Sequence, residues 1–342
     1  MDLTKGKTEY IAVVDVVKAA ACIVIFLAHC NTILPGDWDW LIAFGQDFGN
    51  NMFFMVSGFA LAPSVDSTPV NRVHIWYLKR LARILPITFI AYAVMFFMGY
   101  YSFSDPAQLF VVFIYPTLYW FVSAILIFYL ILFFMAKLAG KRGWMLINIA
   151  LAVLYILSGA RQERLYLMGL ISMTAGYMLR EYIGSGYEKD RDRTAEGRKL
   201  TAELVAACVL YIAGEVTDIR YLSAFLTFGG ALWAGSIIML QGYIHNEALT
   251  AFFEGREHML SLIKFIGGMA LPLYIVQCLC AGYIGYTIGQ KVAFPLSFLV
   301  NLIIVWSAGT VLYLIGNISS RRIVACIMHE ASGRRTKPKQ DQ

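Results

Sequence analysis

The sequence predicts an all-α, polytopic membrane protein with about ten transmembrane helices and with both termini in the cytoplasm. Hydrophobic residues make up 59% of the 342 residues and charged residues only 15%, whereas charged residues are about a quarter of an ordinary soluble domain. The mean hydropathy is +0.65. Apolar runs of the length that crosses a bilayer as a helix recur along the chain, without the short alternating pattern of barrel strands.

Hydropathy places ten spans in order along the chain, of which the fifth to seventh are the weakest. They are residues 11–34, 41–62, 84–101, 118–139, 144–159, 165–182, 200–215, 221–241, 262–286 and 292–316. The first run is too long for a signal peptide and lacks a small-residue cleavage site, so we expect it to remain as a span. The stretch Ala107–Pro116 is apolar but too short to cross, which predicts a re-entrant or interfacial segment.

The distribution of lysine and arginine sets the predicted orientation. If the N-terminus is cytoplasmic, almost all cations between spans lie on the inner side, as the positive-inside rule requires. The outer segments then hold only Arg161, Arg164, Arg220 and Lys291. The chain is therefore expected in the cell inner (cytoplasmic) membrane, as one transmembrane domain over residues 1–320 followed by a basic cytoplasmic tail over 321–342.

The net charge and the cysteines exclude other classes of protein. The formal net charge of +6 follows from the membrane orientation, so no nucleic-acid partner is expected. Most of the six cysteines lie within apolar runs and are interpreted as small core residues. Cys278 and Cys280 are two residues apart on a helix and point to different faces, so we expect no metal there.

The first span carries three ionisable residues in an otherwise apolar segment. Asp15 and Lys18 lie one helical turn apart, toward the predicted cytoplasmic side, where they pair or extend to the boundary. His29 lies eleven residues beyond Lys18 and on nearly the same face of the helix. Intramembrane ionisable residues usually face a cavity, so His29 is the candidate base, with a hydrogen bond to a neighbouring helix as the alternative.

The second and third spans add further polar residues. In the second span, Asn51 is polar, and Ser57 with Gly58 would also let another helix approach closely. At the inner mouth of the third span, Arg80 and Arg83 lie one turn apart, which suits either a membrane anchor or a phosphate clamp.

The remaining candidates lie in several parts of the chain. Lys79 is next to the arginine pair, Trp120 opens the fourth span, and Tyr129 lies deeper in it. Arg161 and Arg164 either meet an anionic glycan or only flank a short outer loop. Gln277 lies in the ninth span.

The order of these pieces resembles the acyltransferase 3 family of integral-membrane acyltransferases. An Asp-x-x-basic pair and a late His are followed by FF-x-x-SG-F, by R-x-x-R-I-x-P, and by a span opened by Trp-Phe that contains a Tyr. The resemblance covers the first four spans in order and is specific as a set. It implies an O-acetyltransferase-type enzyme that takes an acyl group, usually acetyl, from cytoplasmic acyl-coenzyme A, and that uses no metal.

The resemblance also implies an acceptor and roles for individual residues. The acceptor is a hydroxyl of a surface polysaccharide, a lipid-linked glycan or a related glycosylated molecule of the cell envelope. His29 matches the catalytic histidine of the family, and Arg80 and Arg83 match its arginine pair, which with Lys79 would bind the cofactor phosphates. Asp15, Lys18, Asn51, Ser57, Trp120, Tyr129, Gln277, Arg161 and Arg164 would line the channel or the substrate path.

Three positions depart from the family pattern. Lys18 replaces the usual Arg, which keeps the charge but loses bidentate geometry. Ile125 occupies a position where many members have Glu. Gln277 follows Tyr274 at the place where the family often has His, so it cannot serve as a second base.

Other readings of the sequence remain open. A glycan or lipid transporter or flippase would show an inverted repeat, and we find none in the sequence. A different membrane acyltransferase fold and a non-catalytic ligand-binding relative are further alternatives. The expected partners are acyl-coenzyme A, a glycan or glycolipid acceptor and the lipid bilayer. The sequence leaves the oligomeric state open, with a homodimer as one alternative.

Overall fold

A computed structural model of the chain describes residues 11–30, 33–34, 38–99, 106–107, 120–159, 161–184, 193–279 and 291–333. Helix makes up 90% of the structure, and the described residues contain no strand. The α-helices are α1 (Ala12–Ala28), α2 (Asp39–Phe44), α3 (Asn51–Asp66), α4 (Val73–Phe97), α5 (Trp120–Leu138), α6 (Lys141–Leu157), α7 (Arg161–Gly184), α8 (Arg193–Glu215), α9 (Arg220–Ile244), α10 (Asn246–Phe253), α11 (Glu257–Gly268), α12 (Ala270–Leu279) and α13 (Leu296–Gly333). A π-helical turn, Gly45–Asn50, joins α2 to α3, and a 3₁₀ turn, Val70–Arg72, precedes α4.

Helix covers most of the described part of each of the ten predicted spans. Within the described part of the chain, four helical segments are long and apolar enough to cross a membrane, namely Val70–Phe97, Trp120–Leu138, Arg220–Ile244 and Leu296–His329. A fifth crossing results if Glu257–Gly268 and Ala270–Gln277, bent by 52° at their junction, count as one broken span. The all-helical class with apolar membrane helices is therefore confirmed, whereas ten crossings and cytoplasmic termini stay predictions.

Three sequence predictions fall partly or wholly outside the described residues. The segment Ala107–Pro116 is described only at its first residue, and Cys280 is not described. The predicted tail is described as far as Gly333, where it forms the end of α13.

The chain divides into two compact units. Unit 1 consists of Met1–Asn31, Gly36–Ser67 and Phe134–Ala270, and unit 2 consists of Thr32–Pro35, Thr68–Phe133 and Leu271–Gln342. Unit 1 therefore holds α1 to α3 and α6 to α11, while unit 2 holds α4, most of α5, α12 and α13.

Two reciprocal glycines set the central helix pair of unit 1. A Cβ added to Gly58 of α3 would lie 1.9 Å from the carbonyl oxygen of Met173 on α7, and a Cβ on Gly176 of α7 would lie 1.9 Å from that of Met55 on α3. Small residues let membrane helices approach this closely. The α3–α7 crossing therefore brings the two backbones into direct contact.

Apolar side chains of four helices complete the core of unit 1 around this crossing. The buried members come from α1, α3, α7 and α9 and include Val13, Val17, Met52, Met55, Val56, Phe59, Ile183 and Met239. The start of α1 is fixed by a side chain from α10, because the Asn246 amide oxygen accepts a hydrogen bond of 2.9 Å from the Ala12 N–H. This bond satisfies one of the unpaired N–H groups of the first helical turn.

Unit 2 packs its long helix, α13, against α4 and α12. A Cβ added to Gly316 would lie 2.3 Å from Cγ1 of Ile87 on α4, and one added to Gly309 would lie 2.8 Å from Cδ2 of Leu273 on α12. The two glycines thus mark the places where α13 comes closest to its neighbours.

Candidate active site in two parts

His29 lies at the C-terminal end of α1, where its ring is held by its own helix. The residue is half-buried, and its backbone N–H bonds to the Phe26 carbonyl at 3.1 Å. Its ring Nδ1 lies 2.8 Å from the carbonyl oxygen of Ile25. Because a carbonyl oxygen can only accept, Nδ1 carries the proton in this bond. The neutral ring therefore presents the lone pair of Nε2, the atom that a general base needs.

The π-helical turn packs directly against the end of α1 that carries His29. A Cβ on Gly45 would lie 2.2 Å from Cβ of Ala28, and a Cβ on Gly49 would lie 2.7 Å from Cγ1 of Ile25. The two glycines are four residues apart, the spacing of the small-residue motif of tightly packed membrane helices. The residues just before His29 are therefore fixed by close contact with this turn.

Asp15 and Lys18 lie toward the N-terminal end of α1, far from His29 along the helix axis. The helix is continuous from Ala12 to Ala28, so a separation of eleven residues corresponds to about 16 Å along its axis. Both side chains are half-buried. A Cβ on Gly267 of α11 would lie 3.1 Å from Cβ of Lys18 and 3.4 Å from the Asp15 carbonyl oxygen. These two residues face α11 and are too far along the axis to exchange a proton directly with His29.

Asn51 and Ser57 both serve the packing of α3. Asn51 is fully buried, and its Nδ2 donates to the Asp47 carbonyl while its Oδ1 accepts from the Ser172 hydroxyl of α7. Ser57 donates at 2.7 Å to the Phe53 carbonyl of its own helix. Asn51 therefore ties the π-helical turn to α7.

The arginine pair lies in unit 2 beside an aromatic group. The Arg80 guanidinium carbon is 5.3 Å from the centroid of the Trp76 ring, a cation–π distance. The Tyr129 ring packs edge-on against Trp76 at 6.2 Å, and the charges of both Arg80 and Arg83 act on the Tyr129 hydroxyl. The structure therefore brings Arg80, Arg83 and Tyr129 together.

The exposure of the three cations in α4 differs. Arg80 and Lys79 are half-buried, while Arg83 is exposed. The guanidinium groups of Arg80 and Arg83 are buried to different extents. Each offers a planar set of N–H donors, so the two groups can bind separate phosphate oxygens.

The other predicted residues of unit 2 lie farther along α5 and α12. Trp120 is half-buried and begins α5, with its ring 6.0 Å from that of Phe121. Phe121 in turn packs against Tyr274 at 4.8 Å. Gln277 on α12 is 2% exposed, and its Nε2 has no hydrogen-bond partner among the residues that the structure describes. A buried amide of this kind is costly unless it binds something.

Arg164 supports the loop between α6 and α7. Its Nε donates at 3.0 Å to the Ser158 carbonyl, and its guanidinium carbon lies 5.9 Å from the centroid of the Tyr155 ring. The Ser158 hydroxyl bonds to Glu163 at 2.7 Å in the same loop. Arg161 begins α7, and its side chain is outside the described part.

The predicted site residues thus fall into two groups by unit. Unit 1 holds His29, Asp15, Lys18, Asn51, Ser57, Arg161 and Arg164. Unit 2 holds Lys79, Arg80, Arg83, Trp120, Tyr129 and Gln277. The candidate base and the candidate phosphate-binding cations therefore belong to different units. Among the described residues, no group of three or more His, Cys, Asp and Glu side chains is placed to hold a metal ion.

Sequence reasoning missed a polar group on the far side of the π-helical turn. Asp47, Glu215 and the hydroxyl of Tyr211 on α8 interact electrostatically with one another. The Phe48 ring packs edge-on against Tyr211 at 4.9 Å. Two signals for this group were readable: a carboxylate inside an apolar span, and the Gly-x-x-x-Gly spacing of Gly45 and Gly49.

Comparison with known protein families identifies the class of this chain. A family model described as an acyltransferase domain, that of the acyltransferase 3 family, matches residues 11–319. This chain belongs to the acyltransferase 3 family. The match extends well beyond the first four spans, and membership assigns it membrane acyltransferase activity. No curated protein and no solved structure matches the chain.

Proposed function

We propose that this acyltransferase moves an acyl group, acetyl in the first instance, from cytoplasmic acyl-coenzyme A to a hydroxyl of a glycosylated acceptor. The acceptor is a surface polysaccharide, a lipid-linked glycan or a related molecule of the cell envelope, and the enzyme works in the inner membrane. The observation that carries the proposal is the bond from His29 Nδ1 to the Ile25 carbonyl, which leaves Nε2 with its lone pair.

In the proposed reaction, His29 Nε2 takes the proton of the acceptor hydroxyl as the oxygen attacks the thioester carbonyl. The C–S bond breaks, a C–O ester bond forms, and the imidazolium returns the proton to the departing thiolate. General-base catalysis of this kind is worth about 10²–10⁴ in rate. The same nitrogen could instead carry the acyl group as a transient acyl-histidine, and both routes need the same ring tautomer.

The donor is proposed to bind in unit 2 through its phosphates. Arg80 and Arg83 would make charge-assisted bonds to the phosphate oxygens, with Lys79 adding a third cation. Trp76 supports this assignment, since its ring contacts the Arg80 guanidinium and limits the directions in which it can extend. Tyr129, Trp120 and Gln277 are proposed to line the path of the pantetheine arm. Asp15, Lys18, Asn51, Ser57, Arg161 and Arg164 are proposed as lining residues in unit 1.

The test is His29→Ala in membrane vesicles supplied with radiolabelled acetyl-coenzyme A. We expect transfer to glycan to fall by about 10²–10⁴, with normal abundance of the protein in the membrane. His258→Ala is the matched control, because His258 is an exposed histidine of α11 in the same unit, and it should keep the full rate. Wild-type transfer in His29→Ala would refute the assignment of the base, and a wild-type protein that binds no acetyl-coenzyme A would favour a transporter.

A further inference from the structure

Two arginines of unit 1 donate to the same carbonyl oxygen after the end of α6. Arg164 Nε donates at 3.0 Å to the Ser158 carbonyl, and Arg220 Nη2 donates to the same oxygen at 3.5 Å and to the Gly159 carbonyl at 3.1 Å. A Cβ added to Gly159 would lie 3.3 Å from Arg220 Nη2, so a larger residue there would crowd this guanidinium. Two positive charges therefore lie close together at the loop between α6 and α7.

Acidic side chains of the described residues do not pair with these two charges. Glu163 lies in the first turn of α7, but its Oε2 accepts from the Ser158 hydroxyl at 2.7 Å. Within the described residues, neither Arg164 nor Arg220 forms an ion pair. Because two like charges at this separation repel each other, an anion bound between them would stabilise the arrangement.

Arg164 also has a buried donor that is not used within the chain. Its Nη2 atom is buried and has no hydrogen-bond partner in the part of the chain that the structure describes. A charged donor left unpaired in a buried place is costly, whereas a charge-assisted bond to an oxyanion is strong. Arg220 is exposed. The pair thus combines a buried donor with a second cation that is open to solvent.

The direction of α3 and α7 shows at which end of unit 1 these arginines lie. At the start of α3, Asn51 bonds to Ser172 in the middle of α7. One turn later on both helices, Gly176 packs on the carbonyl of Met55, so the two helices run in the same direction. The start of α7, where Arg164 lies, is therefore at the same end of the unit as the start of α3.

The candidate base lies at this end as well. The π-helical turn Gly45–Asn50 leads into α3 and packs against the last residues of α1, which His29 follows. Arg164 lies eight residues before Ser172, which is about 12 Å along α7 toward the same end. A chain of sugars that presents one hydroxyl to His29 therefore has the arginines at the same end of the unit, where another of its sugars can bind.

We propose that Arg164 and Arg220 bind an oxyanion of the acceptor, either the carboxylate of an acidic sugar or the phosphate of a phosphorylated glycan, away from the hydroxyl that reacts. The planar donor sets of two guanidinium groups suit an oxyanion, because they can bond to different oxygens of one group. The inference rests on the proposed function for the acceptor being a glycan, and it adds that this glycan is acidic.

The first experiment measures binding without catalysis. Purified protein in detergent is titrated by calorimetry with oligogalacturonate and with a phosphorylated mannose oligomer, each beside the uncharged oligomer of the same length and linkage. We expect one acidic oligomer to bind about tenfold or more tightly than its uncharged counterpart, the worth of one charge-assisted bond, and that oligomer identifies the oxyanion. Equal binding of the acidic and uncharged oligomers in both pairs would overturn the proposal.

Arg164→Gln and Arg220→Gln locate the binding site. Glutamine keeps an N–H donor for the loop carbonyls but has no charge, so each variant should bind the acidic oligomer about tenfold or more weakly and the uncharged oligomer normally. Wild-type affinity in both variants would contradict the proposal. An equal loss for both oligomers would also contradict it, because the arginines would then only hold the loop. If Arg164→Gln unfolds, Arg220→Gln decides, since Arg220 is exposed.

The matched control is Arg256→Gln. Arg256 is an exposed arginine of the same unit, it also donates to a backbone carbonyl, that of Phe252, and its guanidinium carbon lies 4.5 Å from the centroid of that residue's ring. It follows α10, outside the loop between α6 and α7. This variant should bind the acidic oligomer as wild type does.

An anionic lipid is the competing ligand for two arginines near a membrane surface. Binding of spin-labelled phosphatidylglycerol is therefore measured in vesicles for the same three variants. We expect wild-type lipid binding in Arg164→Gln and Arg220→Gln. If lipid binding falls while binding of the acidic oligomer is unchanged, the proposal is wrong and the pair binds lipid headgroups.

Kinetics separate this inference from the proposed function. Arg164→Gln and Arg220→Gln should raise the KM for the acidic acceptor and leave kcat unchanged, because neither residue contacts the reacting atoms. If both variants lose the acidic oligomer while His29→Ala keeps transfer, the anion site stands and the assignment of the base is wrong. If His29→Ala abolishes transfer while both variants bind the acidic oligomer normally, the base stands and the anion site is wrong.

Discussion

The α3–α7 crossing offers a sharp test of the fold that carries the candidate site. Gly58→Ala adds one methyl group where a Cβ would lie 1.9 Å from the Met173 carbonyl oxygen and 2.8 Å from its carbon. The obstructing atoms belong to the backbone of a buried helix, so no side-chain rotation can relieve the clash. Real Cβ atoms essentially never come within 3.0 Å of another heavy atom. To bring the distance from the new Cβ to the Met173 carbonyl oxygen up to 3.0 Å, the two helices must separate by about 1.1 Å.

The expected cost follows from that separation. Overpacking a well-packed core costs about 1–3 kcal/mol, and a rigid backbone obstacle puts Gly58→Ala near the upper end, at about 3 kcal/mol. The entropy of unfolding is about 2 cal/mol/K per residue, so it is about 0.7 kcal/mol/K for the whole chain of 342 residues. The melting midpoint should therefore fall by about 4 °C.

The assay is thermal unfolding of the purified protein in detergent, with Gly229→Ala as the matched control. Gly229 lies inside α9 of the same unit, and a Cβ there would have no atom within 4 Å. Replacing a helical glycine by alanine in open space stabilises by about 0.5–1 kcal/mol, so the control should melt slightly higher than wild type. Gly58→Ala and Gly176→Ala combined should cost less than their sum, because the first substitution already separates the helices. A Gly58→Ala protein as stable as the control would refute this account of the crossing.

Two further predictions concern unit 2. Arg80→Ala combined with Arg83→Ala should weaken acetyl-coenzyme A binding by about tenfold or more, the worth of one charge-assisted bond, measured by calorimetry. Arg72→Ala, at the exposed start of α4, is the control and should bind normally, and unchanged affinity in the double variant would return the pair to a membrane-anchoring role. Gln277→Leu should melt no lower than wild type, because it removes a buried amide nitrogen that has no partner in the described part of the chain, and it should raise the KM for one of the two substrates. A lower melting midpoint would show that this amide has a structural role.

The positions of the helices were predictable because hydropathy reports where apolar segments lie. Helix covers most of the described part of all ten predicted segments, and the fifth to seventh, the weakest predicted spans, coincide with α6, α7 and α8. Periodicity and composition are local properties, and these results depend on local properties.

The features that the sequence did not predict depend on contacts between distant residues. Hydropathy reads residues 41–62 as one uniform span, whereas the structure inserts a π-helical turn at Gly45–Asn50. The partner of Asp47 is Tyr211, 164 residues later in the chain, and no pattern within either segment specifies that pairing. Similarly, the sequence alone does not decide whether Ser57 and Gly58 have a chemical role or a packing role. The close approach of Met173 on α7 assigns Gly58 to helix packing.

Two of the three departures from the family pattern, Ile125 and Gln277, are consistent with a reaction that needs one base. In triads of the Ser-His-Asp kind, an acid orients the histidine by accepting from Nδ1. Here the Ile25 carbonyl accepts from Nδ1 of His29, so an acidic side chain is not required for the tautomer. The proposed transfer also releases no net proton, since the proton that leaves the hydroxyl ends on the thiolate. A single imidazole can take and return that proton, and for this reason a buried Ile at 125 and a Gln at 277 leave the proposed chemistry complete.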